Sequence, residues 1–194
     1  MSALIRIFAL HLIIDDERQD KDMTPQQQDI EERHGINGST EQPTTADNRS
    51  RHLQDTVDQY LEKTYWVVDF LPRQVPANSP GQYFKIQDFY LKQPRFGTIC
   101  QKLSNILIKL NCYYDFTVCH QDRWEDNPSP SSLAEWMSTG DAVLAIIKDA
   151  DAMIVFCGDD LYMTVYHPDE QLLALVTTLA NAEGFYVWKP TNQD

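Results

Sequence analysis

Two stretches bring together residue types that can do chemistry. The first is Cys157-Gly158-Asp159-Asp160, in which adjacent carboxylates sit beside a thiol and a glycine. Carboxylates that share a proton or a divalent metal must converge, yet neighbours at a strand end point to opposite sides. The runs on either side, "DAMIVFC" and "LYMTVY", predict two strands joined by a Gly-Asp turn. Gly158 permits φ > 0 there, and aspartate bonds its own backbone at turn positions. Turn chemistry accounts for the pair. Changing Asp159 and Asp160 to Asn is therefore expected to leave function intact and to alter stability by less than ~1 kcal/mol.

The second stretch, "CHQDRWED" from Cys119 to Asp126, holds a thiol, an imidazole, three carboxylates, an arginine and a tryptophan. A Cys–His nucleophile pair needs both side chains within hydrogen-bond reach. Cys119 and His120 are sequence neighbours on a predicted strand, so they face apart. The segment beyond them reads as a polar loop, "QDRWEDNPSPSS". In it Trp124 is either a binding hot spot or a lid folded onto the core, and Asp122, Glu125 and Asp126 surround it with negative charge. These four are the candidate binding residues. No catalytic residue, metal ligand or cofactor site is predicted: phosphate-binding glycine loops, G-x-S-x-G and H-E-x-x-H are all missing from the sequence. His167, just before Pro168, reads as part of a helix start. The four cysteines, at 100, 112, 119 and 157, form no C-x-x-C pair and read as reduced, mostly buried thiols.

Residues 158–190, "GDDLYMTVYHPDEQLLALVTTLANAEGFYVWKP", resemble the C-terminal part of an uncharacterised family of small acidic bacterial proteins. The resemblance implies a bacterial cytosolic domain. It carries over no active site, because the matching residues are a turn, two strands, a cap and a helix.

Elements that would position these residues follow from periodicity and punctuation. "LQDTVDQYLEK" from Leu53 predicts a lead-in amphipathic helix, "TYWVVDFLP" a strand, and "RQVPANSPG" a loop. "QYFKIQDFYL" alternates enough to predict a strand. "TICQ" has capping-box form, with Thr98 as N-cap of a helix over 99–111. "CYYDFTVCH" predicts the next strand, and Ser132 with Glu135 a second capping box whose helix stops at Gly140. "DAVLAIIKDA" suits either helix or strand and is assigned to helix. Pro168 is placed at the first position of a last helix with Leu172, Leu175, Val176 and Leu179 inward, ended by Gly184 and followed by the strand "FYVWKP".

Aromatic residues divide the chain. Of 21, only Phe8 precedes Tyr60. Residues 15–52 lack hydrophobic anchors and are expected to be disordered. The predicted organisation is an N-terminal extension over 1–52, one domain over 53–190 and a tail over 191–194. Three readings stay open for residues 1–22: a docking segment, a signal segment, or a gene-model extension ahead of Met23. Their apolar run, Ala3–Ile14, is shorter than the ~20 residues a bilayer span needs.

The formal net charge is −13. Nucleic acid and anionic membranes are not expected partners of so acidic a chain, whereas a basic protein is. The predicted fold class is α+β: a mostly antiparallel sheet of about five strands with two or three helices on one face. The expected function is that of a cytoplasmic, non-enzymatic protein-binding domain, the partner of a basic toxin or nuclease in the manner of an immunity protein. The alternative is a small cytosolic hydrolase or transferase whose site residues are scattered in sequence.

Overall fold

The computed structural model describes residues 45–191 except Ala77 and Asp159. All of them lie in the unit Pro43–Asp194. Of residues 15–52, expected to be disordered, those up to 44 fall outside the described residues, as do the readings of 1–22 and the end of the tail; residues 45–52 are helix, which corrects that part of the expectation. In chain order the elements are α1 (Thr45–Leu61), β1 (Tyr65–Asp69), α2 (Tyr83–Tyr90), α3 (Arg95–Leu110), β2 (Thr117–His120), β3 (Arg123–Asp126), α4 (Pro130–Thr139), β4 (Val143–Ile147), β5 (Ala152–Phe156), β6 (Tyr162–Tyr166), α5 (Glu170–Glu183) and β7 (Tyr186–Trp188). A 3₁₀ turn, Lys148–Ala150, joins β4 to β5. Among the described residues no helix is long and apolar enough to cross a membrane.

The fold is α+β, an open antiparallel sheet in the order β3-β2-β4-β5-β6-β1-β7. Strand alternation gives the sheet two different faces. Val118, Ala145, Ile154 and Val165 stand in one row across four strands. They share a core with Leu103, Ile106 and Leu110 of α3, Leu133 and Met137 of α4, and Leu172, Val176 and Ala180 of α5. Each fully buried aliphatic of this kind contributes ~1.5–3 kcal/mol. The opposite row is Thr117, Ile146, Met153 and Tyr166. α1 covers that face with Leu53, Val57 and Tyr60, all buried, and is tied to it by Arg49 on Asp126 (2.6 Å) and by the Tyr60 hydroxyl on Asp151 (2.9 Å). α1 thus packs on the face opposite to α3, α4 and α5.

Several local expectations need correction. α1 begins at Thr45, eight residues before the expected start. "QYFKIQDFYL" is helix, because Tyr83, Gln87 and Tyr90 are its half-buried positions, a helical spacing. α3 starts at Arg95 behind Pro94, so Thr98 is not its cap; the Thr98 hydroxyl donates to the Pro94 carbonyl four residues back. The cap of α4 is Ser129, whose oxygen accepts from the Ser132 N–H, with Pro130 next. Asp169 caps α5 in the same way, accepting from Leu172, so Pro168 precedes the cap. "DAVLAIIKDA" is strand plus 3₁₀ turn, because its β-branched residues are paired on both sides, by β2 and β5. The cysteines are not mostly buried as expected: Cys100 alone of the four is buried, Cys119 and Cys157 are half-buried and Cys112 lies exposed in the turn after α3, and none of the four is in a disulfide.

The β5–β6 connection is a turn, but not for the expected reason. Gly158 has no positive φ. Its N–H donates to the Gly140 carbonyl at 3.1 Å, and a Cβ there would lie 2.0 Å from that oxygen. Glycine is required by close approach of two backbones. Asp160 is buried, and its side chain hydrogen-bonds the Tyr162 hydroxyl. The expectation that Asp160 is an expendable turn residue is therefore withdrawn.

Candidate functional site

The β2–β3 hairpin displays the candidate binding residues. Its two-residue turn is Gln121-Asp122, with φ of 48° and 60°, the pattern of a type I′ turn. The segment read as a polar loop, Gln121–Ser132, thus contains a strand, because β3 pairs with β2 residue by residue from Thr117–Asp126 to His120–Arg123. Asn127 closes the base. Its side-chain oxygen accepts from the Phe116 N–H at 2.8 Å and from the Asn111 amide at 3.0 Å, and its amide donates to Asp115.

The four residues do not converge. Asp122 is exposed at the tip. Trp124 is half-buried opposite Cys119, on the face that α1 partly covers. Glu125 is exposed and points to the other face. Asp126 accepts from the Thr117 hydroxyl (2.8 Å) and from Arg49; the Thr117 bond first, then Arg49, holds its carboxyl below the usual range. It anchors α1 to the sheet edge.

Cys119 and His120 face apart, and burial, followed by the charge of Asp122, pushes the Cys119 thiol up to about 11. A thiol so shifted is not a nucleophile near neutrality. His120 has a different partner. Helix α4 ends in Gly140 at φ 83°, with the Asp141 N–H on the Trp136 carbonyl, a Schellman closure. That turn delivers Asp141 to His120, with Nε2 2.9 Å from the carboxylate. The imidazole lies flat on Trp136, centroids 4.4 Å apart. The His120 bond is the first cause of the lowered pKa of Asp141. His167 makes no helix cap; its Nδ1 faces the carbonyl (2.9 Å) and carboxylate (3.1 Å) of Asp151.

A second polar group sits on the opposite face at the same end of the sheet. Asp69 ends β1 in register with Tyr162, the first residue of β6. Burial pushes the Asp69 carboxyl up to about 6, although the Leu71 and Phe70 N–H groups favour its charged form. The Tyr162 hydroxyl is raised by burial and then by Asp160. His120 stands on β2, four strands from β1, or ~19 Å at normal strand spacing. His120–Asp141 and Tyr162–Asp160 are thus separate groups, and Asp69 stands beside the latter as the register partner of Tyr162. No group of three or more His, Cys, Asp or Glu that could hold a metal occurs among the described residues.

Both groups escape a sequence reading. No local spacing joins residue 69 to 162, or 120 to 141; the register of a seven-stranded sheet does. No family model matches the chain, and no curated protein or solved structure shows significant similarity to it.

Proposed function

We propose that this chain is a non-enzymatic binding domain for a basic protein, in the manner of an immunity protein, with the β2–β3 hairpin as its contact surface. One observation carries the reading: among the described residues β3 is an edge strand with one side unpaired, and the hairpin bears Asp122 in its turn and Glu125 and a half-exposed Trp124 on β3. Edge strands offer backbone hydrogen bonds to a partner, while the carboxylates supply steering charge. Asp126 is excluded from the contact set because Thr117 and Arg49 engage it.

The test is capture of a basic protein from the native host on immobilised full-length chain, followed by binding kinetics with the purified partner. Asp122→Asn with Glu125→Gln should slow association chiefly at low salt, and Trp124→Ala should speed dissociation about 30-fold, the equivalent of ~2 kcal/mol. A partner that binds both variants like the wild type removes the hairpin from the interface.

The alternative, a small hydrolase or transferase, draws its support from Asp69. A buried carboxyl whose pKa is pushed up to about 6, across the strand pair from a half-buried tyrosine, is suited to general acid–base work. A hydrolytic activity lost in Asp69→Asn, with hairpin variants unaffected, would favour that reading.

A further inference from the structure

A second surface has the opposite electrostatic character. Residues 70–110 hold six Lys and Arg against one acid, Asp88, a net of +5; the rest of the chain therefore carries −18 of the total −13. Within this segment α2 shows three large apolar side chains to solvent: Phe84 is 72% exposed, Ile86 46% and Phe89 48%. The helix stands on the domain through its half-buried positions Tyr83, Gln87 and Tyr90, with the Tyr90 ring 5.0 Å from Phe70. Its outer half is left with Phe84, Lys85, Ile86, Asp88 and Phe89. A helix apolar on its outer side as well as its inner one meets a second apolar phase. Arg73, Lys85, Lys92 and Arg95 are exposed around it, and among the described residues none pairs with a carboxylate. The Arg95 guanidinium lies 3.8 Å over the Phe89 ring.

We propose that α2 is an interfacial anchor that docks this face of the molecule on an anionic lipid bilayer. A side chain nearly three-quarters exposed projects from the surface rather than lining a groove, and a peptide ligand needs a groove or a sheet edge. A bilayer interface takes projecting aromatics without shape complementarity. The four cations then meet anionic headgroups, each worth about fivefold in partitioning. The net charge of the chain does not oppose this, because fields are screened over ~8 Å at physiological salt. What a headgroup meets is the charge around α2, four exposed cations against Asp88, and not the net charge of the chain.

Flotation of the full-length protein with vesicles tests the proposal, using phosphatidylcholine alone and an equal mixture with phosphatidylserine, each at low and high salt. Binding is expected to the mixed vesicles only, and to fall with salt. Phe84→Ser, Ile86→Ser and Phe89→Ser together should abolish it while the thermal unfolding midpoint stays near wild type. Lys85→Glu with Lys92→Glu should lower the partition constant at least about 25-fold, which keeps the test valid if the triple variant folds poorly. The apolar run Ala3–Ile14 is present in every variant. Vesicle binding that survives both sets of changes belongs to that run and overturns the proposal. So does a wild type that binds no vesicles, whether or not α2 captures an acidic protein instead.

Discussion

Asp69 reads as an ordinary strand residue, and only tertiary burial makes it unusual. Its carboxyl titrates near 3.8 in the unfolded chain and about 6 in the fold. Below the lower value both states are protonated and the fold bears no penalty. As pH rises from there to about 6 the unfolded chain ionises first, so stability falls, by up to ~3 kcal/mol for a shift of this size. Asp69→Asn removes the titration while keeping an acceptor for the Leu71 N–H. It is expected to stabilise the protein near pH 8 by up to ~3 kcal/mol and to be nearly neutral near pH 4. Parallel urea-unfolding curves for the two proteins across that range would refute this. Asp126, Asp141, Asp151 and Glu183 act with the opposite sign: their carboxyls are lowered, so their contribution is lost as pH falls. They are common to both proteins and cancel in the difference. Gly158 gives a second prediction. Gly158→Ala places a methyl against the Gly140 backbone and should cost about 1–3 kcal/mol or more in thermal or urea unfolding. Asp160→Asn alters a buried hydrogen bond with Tyr162 and should cost ~1–3 kcal/mol.

At the scale of elements, the legible parts were those with strong local signals. The apolar periodicity of α1, α3 and α5, the αL glycines at 140 and 184 and the β5–β6 pair of apolar runs all stand in the structure near their predicted places. Failures occurred where local preference is weak or shared. Ser-Pro-Ser-Ser offers three serines for one cap, and Pro130, pre-set for the first helical position, selects Ser129. "VLAII" has a period that suits both helix and strand, and pairing with two neighbours decides it. β3 is polar and follows a turn without glycine, so no hairpin signal marks it; its order comes from Asn127 and Thr117. The candidate binding residues were visible as a cluster in sequence, but their distribution over two faces needed the register. Capping makes this testable. Ser129→Ala and Asp169→Ala should each lower stability by ~1 kcal/mol. Thr98→Ala, in the interior of α3, should change it by less than ~0.5 kcal/mol. Equal losses at all three would mean that α3 begins at Thr98 after all.

At the scale of the whole described unit, the two halves of the sheet are assembled differently. Strands β2 to β6 are joined in sequence by hairpins and short connections, except that α4 lies between β3 and β4. β1 instead pairs with β6 and β7, so removing residues 162–194 deprives it of both neighbours. Such a truncated chain is expected to lose cooperative unfolding, measured by circular dichroism, although β2–β4 retain their pairing partners and β5 keeps β4. The same topology sets an order of events during synthesis. Asp69 leaves the ribosome 93 residues before its partner Tyr162 is made, roughly 5–20 s at ordinary translation rates. Through that interval β1 is an apolar strand without a ladder, carrying "YWVVD". The slot it will occupy is not filled late by a late segment; it is created late around an early one. A nascent chain of this protein therefore passes through a stage in which β1 is an unpaired, aggregation-prone apolar strand, and the speed with which the next 93 residues are made governs how long that stage lasts.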